Sequence, residues 1–421
     1  MARAFSVISA LRVVTAVAAV SAPWLVRQGA PTAPPVRARV IPFHSAAIAL
    51  AVDPRTGRAF VTLYSASAVA DEVALVDVRR GVLRIVPVGL NPVAIAIDAR
   101  TRRVFVSCRG PLRPDGVEAR GRGSIAVLDA DTGRLLRTER GVRYPEELAV
   151  DEASGRVFAL NLHIVSPAEG RYTPVNRDTL ALLDARDGRL LRTLAPGAPG
   201  LGNSPSLGVD EALGRVFMLL QDGIVRTLDA RTGAILRTTR IPDGDQYDVY
   251  TLFVDRSRHR VVVSGTGTVP SFAALIDGRT GRIARDAAPA QSGTVDAVDG
   301  VHGRAVFIDA YHGGSREYST GSAYVLDTGT GRVLGTVSLG SATVGASDPD
   351  VAAVDEGAGR AYIATMRGLA VVNDRDGRVL HRVPMGASPD AMVSDGPTRS
   401  LLLLSNVGPA TGLTVLDTSH L

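Results

Sequence analysis

A short motif recurs eight times along this chain and limits its fold more than any other feature. Each copy is an apolar strand that ends in Asp, then a tight corner, then a second apolar strand that begins with Arg in most copies. The copies start at Asp53, Asp98, Asp151, Asp210, Asp255, Asp299, Asp355 and Asp395. A second series of similar corners interleaves with the first and starts at Asp77, Asp129, Asp184, Asp229, Asp277, Asp327, Asp374 and Asp417.

The apolar runs between corners are short and rich in Val, Ile, Leu, Ala and Phe, as in residues 94–98, 103–107 and 125–129. Such runs bounded by Gly and Asp are typical of buried strands. One repeat therefore predicts a four-stranded antiparallel meander of about 40–50 residues, the size of a propeller blade. We predict an all-β fold, a single β-propeller of eight blades. A ring of seven blades is the alternative, because the first and last copies are the least regular.

The two ends of the chain predict how the ring closes. The last copy stops after its third strand at Leu416 and Asp417, whereas residues 36–43 form a strand without a partner before the first copy. We expect this N-terminal strand to complete the last blade, which removes the exposed sheet edges. The propeller then spans residues 36–421, and we expect a monomer.

The N-terminal segment differs from the repeats. Arg3 and Arg12 precede an apolar run from Val13 to Val26, which has the length of a signal-peptide core and is too short to cross a bilayer comfortably. We interpret residues 1–30 as a signal peptide or an N-terminal anchor and residues 31–38 as a Pro/Ala-rich tether. The protein is then exported to the periplasm, cell surface or exterior, and contacts a membrane only through this segment.

Charge and cysteine content exclude several classes. The net charge is +5, but the 47 basic residues are all arginine and are spread along the chain without a block of five like charges. Nucleic-acid binding needs a clustered basic surface, so we expect no nucleic-acid partner. Cys108 is the single cysteine, so an intramolecular disulfide and every multi-cysteine metal or haem motif are excluded, and a buried structural thiol is expected.

The corner aspartates invite a catalytic interpretation, but their repetition favours a structural one. An Asp that opens a turn accepts bonds from backbone N–H groups further along, and Gly supplies the positive φ that closes the turn. Both corners of a meander lie on the same face of the ring, which we name the tight-corner face. The opposite face, the long-connection face, carries the length variation, and binding residues are usually presented on such loops.

Polar residues occur where the inner strands begin, at the channel mouth on the long-connection face. These mouth residues are His44, Asn91, Glu146, Glu147, Asp248, Tyr250, Asp296, Asp348, Asp350 and Asp390. Carboxylates that converge from several blades attract a cation, and Glu146, Asp350 and Asp390 are the candidate ligands of a divalent ion such as calcium. The alternative is a solvated rim, paired in part with Arg143 and other arginines.

Three connections are enlarged, at residues 107–124, 161–179 and 309–322. Loops of this length are uncommon unless they are functional or disordered. The groups in them that are suited to binding are His163, Arg171, Tyr172, His312, Arg316 and Tyr318. Flexible decoration is the alternative interpretation.

The repeat resembles the YVTN β-propeller family. The resemblance rests on LNPVAIAIDARTRRVFVS (90–107), IAVLDADTGRLL (125–136) and SPDAMVSD (388–395), although the name-giving strand is VFV, VFA or VFM here. It covers essentially residues 36–421 and implies a propeller in an exported, surface-layer or periplasmic protein. Similar propellers include quinoprotein dehydrogenase subunits and sugar lactonases, so the resemblance implies no single activity.

Catalytic signatures are missing from the sequence. There is no C-x-x-C-H for haem c, no G-x-S-x-G elbow and no H-E-x-x-H, and Trp24 is the single Trp, which makes pyrroloquinoline quinone an unexpected cofactor. Our first hypothesis is an exported binding or scaffold propeller without catalysis, whose partner is a protein, a glycan or a small ligand. The second is a lactonase-like hydrolase with a metal at the channel mouth.

Overall fold

The computed structural model describes residues 37–65, 70–111, 123–161, 179–195, 206–220, 223–242, 247–267, 272–286, 294–309, 319–342, 351–365, 368–385, 389–406 and 412–421. These residues form 32 strands in eight antiparallel sheets of four strands each. Within these ranges no helix is long and apolar enough to cross a membrane.

Blades one to four follow the chain without a crossover. Blade one is β2 (Ala46–Val52), β3 (Arg58–Tyr64), β4 (Asp71–Asp77) and β5 (Gly81–Gly89). Blade two is β6 (Pro92–Asp98), β7 (Arg103–Cys108), β8 (Ser124–Asp129) and β9 (Leu135–Glu139). Blade three is β10 (Pro145–Asp151), β11 (Arg156–Asn161), β12 (Thr179–Asp184) and β13 (Leu190–Leu194). Blade four is β14 (Ser206–Asp210), β15 (Arg215–Leu220), β16 (Ile224–Asp229) and β17 (Ile235–Arg240).

The second half of the ring repeats this order. Blade five is β18 (Tyr247–Asp255), β19 (Arg260–Gly267), β20 (Phe272–Asp277) and β21 (Ile283–Asp286). Blade six is β22 (Thr294–Asp299), β23 (Arg304–Asp309), β24 (Ser319–Asp327) and β25 (Val333–Ala342). Blade seven is β26 (Ala352–Asp355), β27 (Arg360–Thr365), β28 (Gly368–Asn373) and β29 (Val379–Val383). Blade eight is β30 (Ala391–Asp395), β31 (Ser400–Ser405), β32 (Gly412–Asp417) and β1 (Ala38–Ile41).

The N-terminal strand closes the ring, as the sequence predicts. Strand β1 pairs antiparallel with β32, with Ala38 opposite Leu416 and Ile41 opposite Leu413. The first strand of each blade contacts the first strand of the next, and β2 contacts β30, so these eight strands line the central channel. The ring therefore has eight blades, and the alternative of seven with one copy excluded is wrong.

The repeated corner residues hold the turns together. At the second corner of blade four, the backbone N–H and hydroxyl of Thr232 donate to Asp229 at 2.8 and 2.7 Å, and Gly233 has a φ of 70°. The hydrogen bond from the Thr232 hydroxyl lowers the pKa of Asp229. The Arg that starts the second strand of this blade, Arg215, lies 3.7 Å from Asp229. The same Arg–Asp pairing in blades two, three, five and six explains why both residues recur.

The core consists of apolar layers between neighbouring blades. A buried aromatic residue stands two positions after the strand-opening Arg in five blades, at Phe60, Phe105, Phe158, Phe217 and Tyr362. Phe60, for example, packs with Val104 and Val106 of the next blade. Cys108 lies in the same layer, and burial raises the pKa of its thiol to about 12, as expected for a structural cysteine.

The structure corrects the position of one corner. The repeat pattern predicts that the second corner of blade seven starts at Asp374, but Asn373 is the residue that opens it: its side-chain oxygen accepts the N–H of Arg375 at 2.9 Å. Gly377 closes the turn by donating to the carbonyl of Asn373. Asp374 therefore occupies the next position, which holds Val78, Ala130, Ala185, Ala230, Gly278, Thr328 and Thr418 in the other blades.

Candidate functional site

The channel mouth on the long-connection face is where the inner strands begin. Because all inner strands run in the same direction, the mouth residues that precede or start them lie at one end of the channel. Glu146 and Glu147 lie in β10, Asp248 and Tyr250 in β18, and Asp296 in β22. Asn91 and Asp390 immediately precede inner strands, and His44 lies two positions before β2. Asp348 and Asp350 lie outside the described residues.

Three of the predicted carboxylates occur where the inner strands are irregular. The pairing register shifts across Glu146 in β10, across Asp248 in β18 and across Asp296 in β22. Bulges re-aim side chains and are common near the rims of barrels and next to active sites. An alternating strand pattern does not indicate where a bulge occurs. The sequence therefore predicts that these residues lie at the mouth but does not predict the bulges.

The two glutamates of blade three are bound by groups of the fold. Arg109, at the end of blade two, forms a two-point ion pair with Glu146. Glu147 accepts the backbone N–H of Leu207, in the inner strand of blade four, at 2.9 Å. These carboxylates thus connect neighbouring blades. The rim pairing expected with Arg143 is made here by Arg109.

The mouth residues of blades one and two form a local network. The Nε2 atom of His44 lies 2.9 Å from a carboxylate oxygen of Glu72. Asn91 has a φ of 57° and is buried, and its backbone N–H donates to Asp71 at 2.6 Å. Asp71 also accepts the N–H of Ser65 at 2.8 Å. These contacts fix the turns that lead into the channel.

Asp390 belongs to the closing seam of the ring. Its carboxylate accepts the backbone N–H of Asn406 at 2.8 Å. The Asn406 side chain in turn makes two bonds to the backbone of Ala47 in blade one, at 2.8 and 2.7 Å. Asp390 therefore positions the residue that connects blade eight with blade one.

The predicted metal site at the mouth remains a prediction. Its members Glu146 and Asp390 have the partners given above, and Asp350 lies outside the described residues. The six residues predicted on the enlarged connections are also outside them, namely His163, Arg171, Tyr172, His312, Arg316 and Tyr318.

A cluster that the repeat pattern does not predict lies on the tight-corner face, between blades six and seven. The Nδ1 atom of His302 lies 2.8 Å from Asp299 and 3.7 Å from Asp374. One potential ligand atom from each of the three residues lies within 4.8 Å of the other two. Both aspartate side chains are fully buried, whereas 30% of the His302 side chain is exposed. Sequence reasoning missed the cluster because it assigned Asp374 to the structural position that Asn373 fills.

The two carboxylates of this cluster have opposite pKa shifts. Burial, together with the nearby Asp299, raises the pKa of Asp374 to about 7. Burial alone would also raise the pKa of Asp299, but hydrogen bonding with Asp374 and His302 lowers it. Two buried carboxyl groups this close do not both ionise readily without a cation between them.

The tight-corner face also contains a cleft of about 880 Å³. Its lining comes from the corners of blades five, seven and eight and includes Arg256, Asp355, Glu356, Arg360, Arg399 and Thr418. The Glu356 carboxylate accepts the backbone N–H of Gly300 in blade six at 2.9 Å. The face that the sequence predicted to be short and regular thus contains a polar cavity as well as the buried cluster.

Comparison with known proteins identifies the fold and no family. No protein-family model matches the chain, so the YVTN resemblance stays a prediction. No curated protein matches it either. Among solved structures, the chain is similar to the computationally designed Ika8 protein, with a TM-score of 0.58 and 17% identity. The match covers 90% of this chain and 98% of the designed chain. At this identity the likeness supports the propeller architecture alone.

Proposed function

We propose that this chain is an exported propeller that binds or scaffolds a partner without catalysis. It presents its long-connection face to a protein, a glycan or a small ligand. The observation that carries the proposal is the one-sided distribution of connections. On the tight-corner face the turns between strands are short, whereas on the other face segments 109–123, 162–178 and 310–318 separate consecutive strands. Rigid strands that carry long connections on one side are the usual arrangement of a binding face.

The bonding of the mouth residues supports binding rather than catalysis. A catalytic metal needs ligands and an open coordination position. Glu146 pairs with Arg109, and Asp390 holds Asn406 at the seam, so recruiting either to a metal would cost an existing contact. The lactonase-like hydrolase with Glu146, Asp350 and Asp390 as ligands is therefore the less supported hypothesis.

The proposal is tested with a variant in which residues 112–122 and 162–178 are replaced by short Gly/Ser linkers. Wild type and variant are screened on a glycan array and against a displayed peptide library. We expect wild type to bind a discrete set of probes, and the variant to lose that binding while its melting temperature stays within about 2 °C, because loop replacement leaves the blades intact.

The matched control is Asp376→Asn, an exposed corner residue on the opposite face, which should bind as wild type does. Hydrolysis of simple lactones that requires a divalent ion, and that disappears in Glu146→Gln and Asp390→Asn, would overturn the proposal in favour of the hydrolase. Binding that survives both loop replacements would also contradict it.

A further inference from the structure

At the junction between blades six and seven, the position that follows the second-corner opener holds a carboxylate, Asp374, which no other blade has at that position. At this junction and at the one between blades five and six, the first-corner aspartate of one blade faces the residue that follows the second-corner opener of the next blade. In seven blades that residue is Val, Ala, Gly or Thr. In blade seven it is Asp374, which faces Asp299 of blade six.

The equivalent junction between blades five and six shows how a hydroxyl works at this position. Thr328 is buried, and its hydroxyl donates to the Asp255 carboxylate. Arg258 lies 3.1 Å from the same hydroxyl and adds a permanent positive charge. One carboxylate, one donor and one cation thus balance each other.

At the junction of blades six and seven the balance is different. Asp374 replaces the hydroxyl donor with a second acceptor, and His302 takes the position of Arg258. Apart from a proton shared with Asp299, neither carboxylate oxygen of Asp374 has a hydrogen-bond partner, although the residue has no exposed surface. Arg304, whose charge acts on Asp374, is engaged by Asp327 and the carbonyl of Gly303. Leaving a buried carboxylate without a partner is costly.

We propose that Asp299, His302 and Asp374 bind a divalent transition-metal ion of the zinc class, which joins blade six to blade seven. One imidazole nitrogen and two carboxylates suit Zn²⁺ and similar ions, whereas Ca²⁺ prefers six to eight oxygen ligands. The site is separate from the mouth residues and lies on the opposite face of the ring.

The geometry is compatible with such an ion. Ligands of a tetrahedral Zn²⁺, at about 2.0–2.1 Å from the metal, lie roughly 3.3 Å from one another. Of the two distances measured from His302 Nδ1, the 2.8 Å to Asp299 must open slightly, and the 3.7 Å to Asp374 must shorten slightly. The partly exposed imidazole gives an ion a route from solvent and an open side where water completes the coordination.

The test uses the full chain, stripped with a chelator and then incubated with ZnCl₂. After desalting, the metal content is measured by mass spectrometry and the melting temperature is recorded with and without Zn²⁺. We expect one Zn²⁺ per chain and a rise in melting temperature of about 3 °C at a hundredfold excess over the dissociation constant. Mn²⁺ and Ca²⁺ serve as comparison ions, with Ca²⁺ expected to have the smallest effect.

Asp374→Thr is the decisive variant, because threonine is the residue that blades six and eight carry at this position. It should retain no Zn²⁺ and show no Zn²⁺-dependent shift. His302→Ala, at a partly exposed position, tests the same site if Asp374→Thr folds poorly, and it should weaken binding at least tenfold. Asp376→Asn removes one negative charge two residues away and should bind Zn²⁺ as wild type does. Wild type that retains no Zn²⁺, or equal retention by wild type and Asp374→Thr, would overturn the proposal.

Discussion

The junction between blades five and six and the junction between blades six and seven share a backbone hydrogen bond, from Thr328 to Gly303 in one and from Asp374 to Gly359 in the other, but differ in charge. The first combines Asp255, Thr328 and Arg258, and its groups satisfy each other. The second contains Asp299, Asp374 and His302, with two buried carboxylates and one imidazole. Within a repeat fold, the neighbouring junction is a control for what the architecture alone requires. The extra carboxylate is not needed to close a corner or to pack two blades.

The comparison also separates two roles of acidic residues in this ring. Aspartates that open corners accept bonds from their own turn, as Asp229 does, and their recurrence reflects folding. Asp374 makes no such bond within the described part of the chain, and it departs from the repeat. Departure from an internal repeat is therefore a better sign of a site here than the presence of an acidic residue.

The largest change in the free energy of unfolding is expected when a second carboxylate is introduced at the junction between blades five and six. Thr328→Asp places a second buried carboxylate against Asp255, with only Arg258 to offset it. We expect a loss of about 2–4 kcal/mol in the free energy of unfolding at neutral pH, because a buried charge without full compensation is costly. Urea denaturation followed by circular dichroism measures it.

Thr328→Ser keeps the hydroxyl donor and is the matched control, with an expected loss below about 1 kcal/mol. If Thr328→Asp were as stable as wild type, Arg258 alone would balance two carboxylates. A second carboxylate at a junction would then carry no cost, and the difference between the two junctions would not point to a site.

The reverse substitution, Asp374→Thr at the junction between blades six and seven, is expected to stabilise the fold by a smaller amount. In metal-free protein, Asp374→Thr removes the carboxylate that lacks hydrogen bonds apart from the proton shared with Asp299, and it supplies a donor for Asp299. We expect a gain of about 1–2 kcal/mol in the free energy of unfolding, since replacing a poorly compensated buried charge is often stabilising. The same urea titration, run with a chelator present, measures the gain. A loss of stability would indicate that Asp374 already has a favourable role without metal.

The architecture was predictable from the sequence because the repeat fixes strands, corners and closure together. The pairing of residues 38–41 with the last strand follows from a missing fourth strand in blade eight. The cluster at Asp374 was not predictable in the same way. The segment NDRDGR has an Asp one position after the corner opener, and only the hydrogen bonds of Asn373 reveal the register.

The side-chain contacts between neighbouring blades could not be predicted from the sequence pattern either. Arg109 and Glu146 are 37 positions apart, and Asn406 reaches Ala47 across 359. No periodicity relates such pairs, since they depend on how neighbouring blades pack. The described mouth residues lie at or near the start of the inner strands, as the repeat indicates, but their partners could not be read from the repeat.

The smallest effect is expected at a third junction, between blades three and four, where Glu211 is partly buried near two other acids. Its carboxylate accepts the N–H of Glu152 at 3.2 Å. Burial, and then the charges of Asp151 and Glu152, raise the pKa of Glu211 above its ordinary value of 4.5. The folded chain thus binds this proton more tightly than the unfolded chain does. The resulting stability is complete below pH 4.5 and is lost as the pH rises through the raised folded-state pKa.

Glu211→Gln keeps the acceptor oxygen and removes the charge, so it should raise the melting temperature at pH 7 by on the order of 1 °C. The difference should vanish in acid, where wild-type Glu211 is neutral as well. Melting curves between pH 3.5 and about 8 measure this dependence, with Asp376→Asn as the variant of equal charge. A stabilisation that is the same at every pH would show that the crowding of acids at a junction acts through packing rather than charge. The difference between the junction at Asp374 and the junction at Thr328 would then be explained by hydrogen bonding and not by charge.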